Sequence, residues 1–184
     1  MKLVPTASQT VGPYFRIGLE YLCGSPESNG TTGTTVRGRV LDANREPVSD
    51  AMLELWYADP QSHFVAGSQG ADRNGRVPGF ARIATGDEGQ FSFTVPRPGP
   101  VAFDKTRLQA PHIEVMVFAR GLLRHLITRM YFPDEAANIA DPVLQSIPDD
   151  RRATLIARRV SSSGESLEWN IVLQGEGETV FFAW

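Results

Sequence analysis

The chain has 184 residues, 41% of them hydrophobic, which fits one globular domain with modest extensions. A formal net charge of −3 argues against a protein that coats nucleic acid. The single cysteine, Cys23, excludes an intrachain disulfide and a thiolate zinc cluster. No apolar run reaches the roughly 18 residues that span a bilayer. The N-terminus also lacks the apolar core of a secretory signal, so the sequence predicts a soluble cytoplasmic protein.

Residues 1–35 have no strand or helix periodicity, and their second half, CGSPESNGTTGTT, is rich in Gly, Ser and Thr. We predict an extended N-terminal arm and a linker over 1–35, followed by one domain over 36–184.

The domain that follows alternates short apolar segments with turn signals. Eight segments predict strands: 36–42, 51–59, 80–85, 90–96, 112–120, 126–132, 154–160 and 167–175. The segments 80–85 and 90–96 predict a hairpin around the turn GDEG, and 112–120 and 126–132 predict a second pair around Gly121. Short, evenly spaced strands predict an all-β fold, a β-sandwich of mixed topology. A few short helical turns are expected within 134–148.

The strand predicted over 112–120 has two different faces, because side chains alternate along a strand. One face is pure core, formed by Ile113, Val115, Val117 and Ala119. The other face is mixed, which is typical of a strand beside a cleft or a partner chain; it carries His112, Glu114, Met116, Phe118 and Arg120.

His112 and Glu114 could both bind one metal ion, since imidazole and carboxylate suit divalent and ferric ions. Two ligands are too few, however, and His63 and His125 lie at no recognisable ligand spacing from this pair. A structural pair is the favoured interpretation, and a self-sufficient metalloenzyme is the alternative.

Arg120 lies six positions after Glu114, about 20 Å along a strand, which is too far for an ion pair between them. Its partner could be water or a surface carboxylate, such as one in PDE at 133–135. It could also be an anionic ligand, because the planar guanidinium matches a carboxylate with two parallel hydrogen bonds. The residues alone favour water or a surface carboxylate.

Several aromatic residues predict packing rather than chemistry. Trp56 and Trp169 lie in predicted strands and are expected in the core or at a contact between chains. The tail carries Phe181, Phe182 and Trp184, although a free chain end is usually polar. We therefore expect the tail to dock into the core or onto a partner chain.

Four segments together resemble the intradiol ring-cleaving dioxygenases, and among them the alpha chains of the two-chain members: SQTVGPYFRIGL, APHIEVMVFARG, RMYFPDEAAN and QGEGETVFFAW. Catalytic chains of that family hold a non-haem ferric ion with two tyrosinates and two histidines, the latter as His-x-His on a strand. His112 matches the first histidine, but the second falls on Glu114 and one tyrosine on Val101. The segment FVAGSQGADRNGRVPG, where the other tyrosine is expected, contains none.

The resemblance therefore implies a degenerate metal site at Val101, His112 and Glu114, with no metal and no catalytic residue in this chain. It implies that Fe(III) is held by a homologous beta chain, and that several alpha–beta units assemble.

The resemblance also implies a substrate pocket where the two chains meet, to which this chain contributes Gly12, Pro13, Tyr14 and Arg120. The implied substrates are protocatechuate and O2, the implied product is 3-carboxy-cis,cis-muconate, and Arg120 would pair with the ring carboxylate. The arm would reach the partner chain. A non-enzymatic β-sandwich binding module is a further alternative.

Overall fold

The structure is a computed structural model that describes residues 7, 9–19, 33–64, 78–160 and 166–183. Within these ranges no helix is long and apolar enough to cross a membrane. The helices in these ranges are α1 (Pro13–Leu19), α2 (Pro142–Gln145), α3 (Asp149–Arg152) and two 3-10 helices, Ala136–Ala140 and Ala153–Leu155. The strands are β1 (Thr34–Leu41), β2 (Met52–Trp56), β3 (Phe80–Ala84), β4 (Gln90–Val95), β5 (Val101–Ala102), β6 (Leu108–Gln109), β7 (His112–Phe118), β8 (Leu126–Tyr131), β9 (Arg158–Arg159), β10 (Ser166–Glu168) and β11 (Ile171–Val172).

Two sheets pack face to face and confirm the predicted β-sandwich. One sheet is antiparallel, with strand order β3-β2-β7-β8. The other is mixed: β1 pairs parallel with β10 and β11 and antiparallel with β4, and β9 pairs with β10. The short strands β5 and β6 form a separate antiparallel ribbon.

The main core lies between the two sheets, because each sheet turns one apolar face inward. β1 contributes Val36 and Val40, β4 contributes Phe93, and β7 contributes its pure-core face. A second, smaller cluster lies on the outer side of the antiparallel sheet, under α2; it consists of Ala110, Tyr131, Leu144, Ile147 and Leu155.

The hairpin predicted from 80–85 and 90–96 is wrong, although its turn is present. Gly86 N–H donates to the carbonyl of Gln90 at 2.9 Å, and Gly89 has a φ of +65°. The two strands nevertheless belong to different sheets, since β3 pairs with β2 and β4 pairs with β1. Ile83 and Phe93 thereby cover the same core from opposite sides. The turn is a connection between sheets.

The last two predicted strands are also interrupted. The 3-10 helix Ala153–Leu155 replaces the start of the predicted 154–160 strand. The predicted 167–175 strand divides into β10 and β11, which pair with different parts of β1. Between them, the side-chain oxygen of Asn170 accepts a hydrogen bond from Arg39 N–H at 2.9 Å, so a side chain satisfies the ladder there.

The predicted extended arm is corrected at α1, which is helical over Pro13–Leu19. Proline is well suited to the first helical position, because its missing N–H would have no helical partner there. An isolated seven-residue helix is unstable in water, and the ring of Phe15 packs 5.3 Å from the ring of Phe118. This tertiary contact supplies what the local sequence lacks.

Further along the chain, the predicted helical turns in 134–148 are confirmed. The Asp141 carboxylate caps α2 by accepting from Val143 and Leu144 N–H at 2.9 and 2.8 Å.

The tail docks as predicted, along the free edge of β8. Phe182 N–H donates to the Ile127 carbonyl at 2.8 Å, and the Thr128 hydroxyl donates to the Val180 carbonyl at 2.8 Å. Phe181 packs on the main core and Phe182 on the smaller cluster. Trp184, the third aromatic residue of the predicted tail contact, lies outside the described residues.

The two tryptophans lie in different environments. Trp169 is buried in the main core as predicted, and its indole N–H donates to the Thr154 carbonyl at 3.0 Å. Trp56 is not a core residue: it is partly exposed on the outer face of β2, against the ring of Phe80 at 4.7 Å.

Candidate functional site

The candidate site lies on the outer face of β7, and the predicted alternation along this strand is confirmed. Ile113, Val115 and Val117 are fully buried against the core. The opposite face carries the predicted polar residues and runs from His112 at one end to Arg120, just beyond the last residue of β7, at the other. The two ends have different environments.

His112 is a buried, neutral imidazole. Its Nδ1 lies 2.7 Å from the carbonyl of Ala110, an acceptor, so Nδ1 carries the hydrogen. Its ring packs 5.5 Å from the ring of Tyr131. Burial, together with the positive charge of Arg129, lowers the pKa of His112 below its ordinary value.

Glu114 is paired with Arg129, a residue that the sequence analysis did not identify as part of the site. The two lie opposite each other on β7 and β8, and Arg129 Nη2 is 3.1 Å from Glu114 Oε1. Arg129 is 5% exposed; its Nη1 donates to Gln109 Oε1 at 2.5 Å, and its guanidinium lies over the ring of Phe182. The carboxylate of Glu114 therefore has a structural partner.

Asp141 completes this end of the site. It is fully buried, and its Oδ2 accepts from Ala110 N–H at 2.7 Å. The hydroxyl of Tyr131 donates to Oδ1 of Asp141 at 3.3 Å. Burial and the charge of Asp141 raise the pKa of Tyr131, so this side chain stays a neutral phenol.

These donors do not fit an Fe(III) ion. A ferric ion is a hard cation that needs several ligands, with anionic oxygens favoured. Val101 is a buried apolar residue, and Glu114 already compensates Arg129. Among the described residues, no group of three or more His, Cys, Asp and Glu is placed to hold a metal. The segment 64–79, in which the resemblance places the other iron-binding tyrosine, contains no tyrosine, and its residues 65–77 lie outside the described residues.

At the other end of the face, Arg120 forms an ion pair with Asp50 through Nε and Oδ2. A carboxylate partner was one of the expected alternatives, but it does not come from the example segment 133–135, where Asp134 and Glu135 pair with Arg97 at 3.0 and 3.2 Å. Strand register gives the reason. Met52 on β2 lies opposite Phe118 on the antiparallel β7, so Asp50, two residues before Met52, falls beside Arg120, two residues after Phe118.

The N-terminal arm is fastened beside Arg120 at two points. The Thr10 hydroxyl accepts from Gly121 N–H at 2.9 Å, and Phe15 packs on Phe118. Gly12, Pro13 and Tyr14 lie between these contacts in the chain. The structure thus brings the four residues predicted to bind substrate to one end of β7.

This end of the site is open. The side chain of Arg120 is 61% exposed, whereas that of Asp50 is 15% exposed. Tyr14, Ile17 and Leu123 are exposed large apolar residues on the arm and on the loop after Arg120. Leu123 also borders a groove of ≈190 Å³, which is lined further by Gln9, Val11, Phe118, Leu122 and His125, among others. Exposed apolar residues around a charged group are typical of an interaction surface.

Comparison with known proteins gives a consistent set of relatives. A family model described as "Dioxygenase" matches residues 25–175. The protocatechuate 3,4-dioxygenase alpha chain of Burkholderia cepacia is 42% identical over 198 aligned positions, covering 98% of both chains. The protocatechuate 3,4-dioxygenase beta chain of the same organism is 31% identical over 153 positions, covering 78% of this chain and 65% of that one. Among solved structures, 3-chlorocatechol 1,2-dioxygenase from Rhodococcus opacus 1CP has a TM-score of 0.60 over 94% of this chain and 69% of its own; at 17% identity this is a likeness of fold.

Proposed function

Since this chain belongs to the intradiol dioxygenases, a family that depends on non-haem iron, we propose that it is the alpha subunit of a two-chain protocatechuate 3,4-dioxygenase. The proposed reaction combines protocatechuate with O2, and both oxygen atoms enter the product, 3-carboxy-cis,cis-muconate. The observation that carries the proposal is the 42% identity to an alpha chain along 98% of both sequences.

We propose that the Fe(III) ion belongs to a homologous beta chain, where it supplies the oxygen chemistry. Two observations support this division. The carboxylate of Glu114 is paired with Arg129 at 3.1 Å, and Val101, at another position of the implied iron site, offers no donor atom. A beta chain of the enzyme is also a clear relative of this one, as expected for two subunits with a common origin.

The role proposed for this chain is to bind and orient the substrate. Protocatechuate carries a ring carboxylate in addition to its two hydroxyls, and an exposed guanidinium is its natural partner. Arg120, with its exposed side chain at the open end of the site, is the proposed group. A charge-assisted pair there would fix the ring relative to the metal, which is catalysis by positioning. Gly12, Pro13 and Tyr14 are proposed to line the same pocket and to limit the entry of water.

The arm over residues 1–35 is proposed to reach the beta chain, with the sandwich over 36–184 as the domain that carries it. The exposed apolar side chains of Tyr14, Ile17 and Leu123 support a contact surface at this place. Assembly of several alpha–beta units and a cytoplasmic location belong to the same proposal.

Iron content and visible absorption test the division of labour. We expect this chain purified alone to be colourless and free of iron, and the complex with its beta chain to be red-brown and active on protocatechuate. Stoichiometric iron and ring cleavage by this chain alone would favour the self-sufficient metalloenzyme. A chain that forms no complex and has no effect on turnover would favour a binding module.

A further inference from the structure

We propose that Asp50 is a positioning residue for Arg120, holding the guanidinium so that its terminal edge is free for the carboxylate of the substrate. This inference rests on the substrate-binding role proposed for Arg120 above. Asp50 lies in the connection between β1 and β2, distant in the chain from the arm and from the end of β7 that carry the other proposed residues. Its proposed role involves no contact with the iron or the substrate.

The shape of the guanidinium determines which of its edges can bind a carboxylate. Arginine offers several N–H donors in a rigid planar fork, and two parallel donors from one edge match a carboxylate. Asp50 engages Arg120 through Nε. Within the described ranges, Nη1 and Nη2 make no other hydrogen bond or ion pair. The terminal edge is therefore the one available to an incoming anion.

Asp50 is suited to this task because its own position is fixed. Its Oδ2 is buried and accepts no hydrogen bond from the described part of the chain, which leaves Arg120 as the group that compensates its charge. The loop that carries it is fastened by the buried Thr85. The Thr85 hydroxyl donates to the Val48 carbonyl at 2.8 Å and accepts from Ala51 N–H at 3.0 Å, on either side of Asp50.

The backbone of Arg120 is held as well. Ala119 is buried in the core on one side. On the other side Gly121 has a φ of +84°, and its N–H donates to Thr10 of the arm. The freedom that remains is rotation of the long side chain, and ordering such a side chain opposes binding. An ion pair made before the substrate arrives removes part of that cost.

A competing effect has the opposite sign, which makes the proposal testable. A carboxylate next to Arg120 also attenuates the attraction between Arg120 and a second anion. If this attenuation dominated, removing Asp50 would strengthen substrate binding. Arg120 is largely exposed, so solvent screens the charge effect, whereas bidentate pairing depends strictly on orientation. Positioning is therefore the larger effect.

The experiment uses the complex of this chain co-expressed with its beta chain. In Asp50→Ala we expect KM for protocatechuate to rise about tenfold, as for loss of one charge-assisted hydrogen bond. The kcat should stay within about twofold of the unmodified complex, and KM for unsubstituted catechol should not change. Asp50→Asn should recover part of the loss, because it keeps the size of the side chain and an oxygen next to Nε but removes the charge. Asp87→Ala, which changes an exposed carboxylate in the turn between β3 and β4, is the control.

Asp50→Glu covers the case in which Asp50→Ala fails to fold, since it keeps the charge and displaces it by one methylene. Positioning predicts a higher KM for protocatechuate in this variant. An unchanged or lower KM in Asp50→Glu or Asp50→Ala, or an equal rise for catechol, would overturn the proposal. The variant Arg120→Ala distinguishes the positioning role of Asp50 from the substrate-binding role of Arg120. If that variant discriminates between the substrates and the Asp50 variants do not, the positioning role alone fails. If Arg120→Ala does not discriminate, the substrate role of Arg120 fails with it.

Discussion

The two ends of β7 contain similar chemistry with opposite outcomes. At the His112 end, the charged group Arg129 is 5% exposed and bonds to Glu114 and Gln109. At the other end, Arg120 has one carboxylate partner and a side chain that is 61% exposed. Both arginines pair with an acidic residue across neighbouring strands, so the ion pair itself does not distinguish them.

The two arginines differ in which guanidinium N–H groups lack a protein acceptor and in whether those groups face solvent. A buried guanidinium surrounded by protein acceptors is costly to leave unpaired and has become part of the fold. An exposed guanidinium with an unused terminal edge can exchange water for a ligand at little cost. The closed end of β7 is therefore structural, and the open end is the one proposed for recognition.

The largest effect should come from breaking the closed end. Arg129→Met should lower the free energy of unfolding by about 3 kcal/mol, because it removes the two charge-assisted hydrogen bonds that the buried guanidinium makes to Gln109 and Glu114. Arg158→Met is the matched control: its pair with Glu168 is exposed, and the loss should stay below about 1 kcal/mol. Urea unfolding of both variants measures the difference. Equal losses would show that the closed end is not structural.

Breaking the open end should affect binding more than stability. In the complex with the beta chain, Arg120→Ala should raise KM for protocatechuate about 30-fold, equivalent to roughly 2 kcal/mol. KM for unsubstituted catechol should change much less, and the melting temperature should fall by only about 3 °C, as Asp50, whose side chain is 15% exposed, loses its partner. Steady-state kinetics on protocatechuate and catechol measure the two KM values. An equal rise in KM for both substrates would refute the role of Arg120 in binding the carboxylate.

The C-terminal tail provides a further test, because the ring of Phe182 packs against the guanidinium of Arg129 at the closed end. Phe182→Asp should destabilise the chain by roughly 1.5 kcal/mol through loss of apolar burial, and should weaken assembly with the beta chain. Phe182→Leu keeps an apolar side chain and is the control. Sedimentation of the complex on dilution gives the readout. A Phe182→Asp complex that stays intact at high dilution contradicts a role of the tail in assembly.

A smaller effect should appear as a dependence of stability on pH. The pKa of His112 is lowered in the folded protein by burial and by Arg129, and Glu114, Asp141 and the Ala110 carbonyl oppose that shift. Below the ordinary pKa of about 6.5 the unfolded chain therefore binds a proton that the folded chain does not. Stability should therefore decrease as the pH falls below about 6.5, by at most about 1.4 kcal/mol per pH unit.

His112→Gln should flatten this part of the stability profile, and the exposed His63→Gln should leave it unchanged. Denaturant unfolding at intervals of half a pH unit measures the slope. The same slope in His112→Gln as in the unmodified chain would mean that another group is responsible.

Much of the fold follows from local sequence, since alternation along each segment marks strands and their inward faces. Val115 and Val117 are assigned to the core on that basis alone. What local sequence does not encode is which strands meet. The turn GDEG looks like a hairpin, yet β3 and β4 separate because their neighbours are distant in the chain. The helix α1 likewise depends on the contact of Phe15 with Phe118.

The residues of the site also divide into those that local sequence identifies and those that depend on strand pairing. Arg120 and His112 are identifiable from residue type, position on a strand and family resemblance. Asp50 and Arg129 are not, because each becomes a partner through register between strands: β2 with β7 for Asp50, and β7 with β8 for Arg129. The pairing 112–120 with 126–132 was predicted, so Arg129 could have been found by extending that register to individual residues.

The parallel pairing of β1 with β10 and β11 has a consequence for the kinetics of folding. β1 begins at Thr34, and its parallel partners end at Val172, so one side of the mixed sheet stays unpaired until the ribosome has released most of the chain. Contacts of such long sequence separation slow folding, because loop closure precedes their stabilising effect. We expect this subunit to fold after synthesis and slowly, with its strand edges exposed to aggregation meanwhile. Production of an active complex should then be limited by the yield of this chain, and should improve at lower temperature or with chaperones.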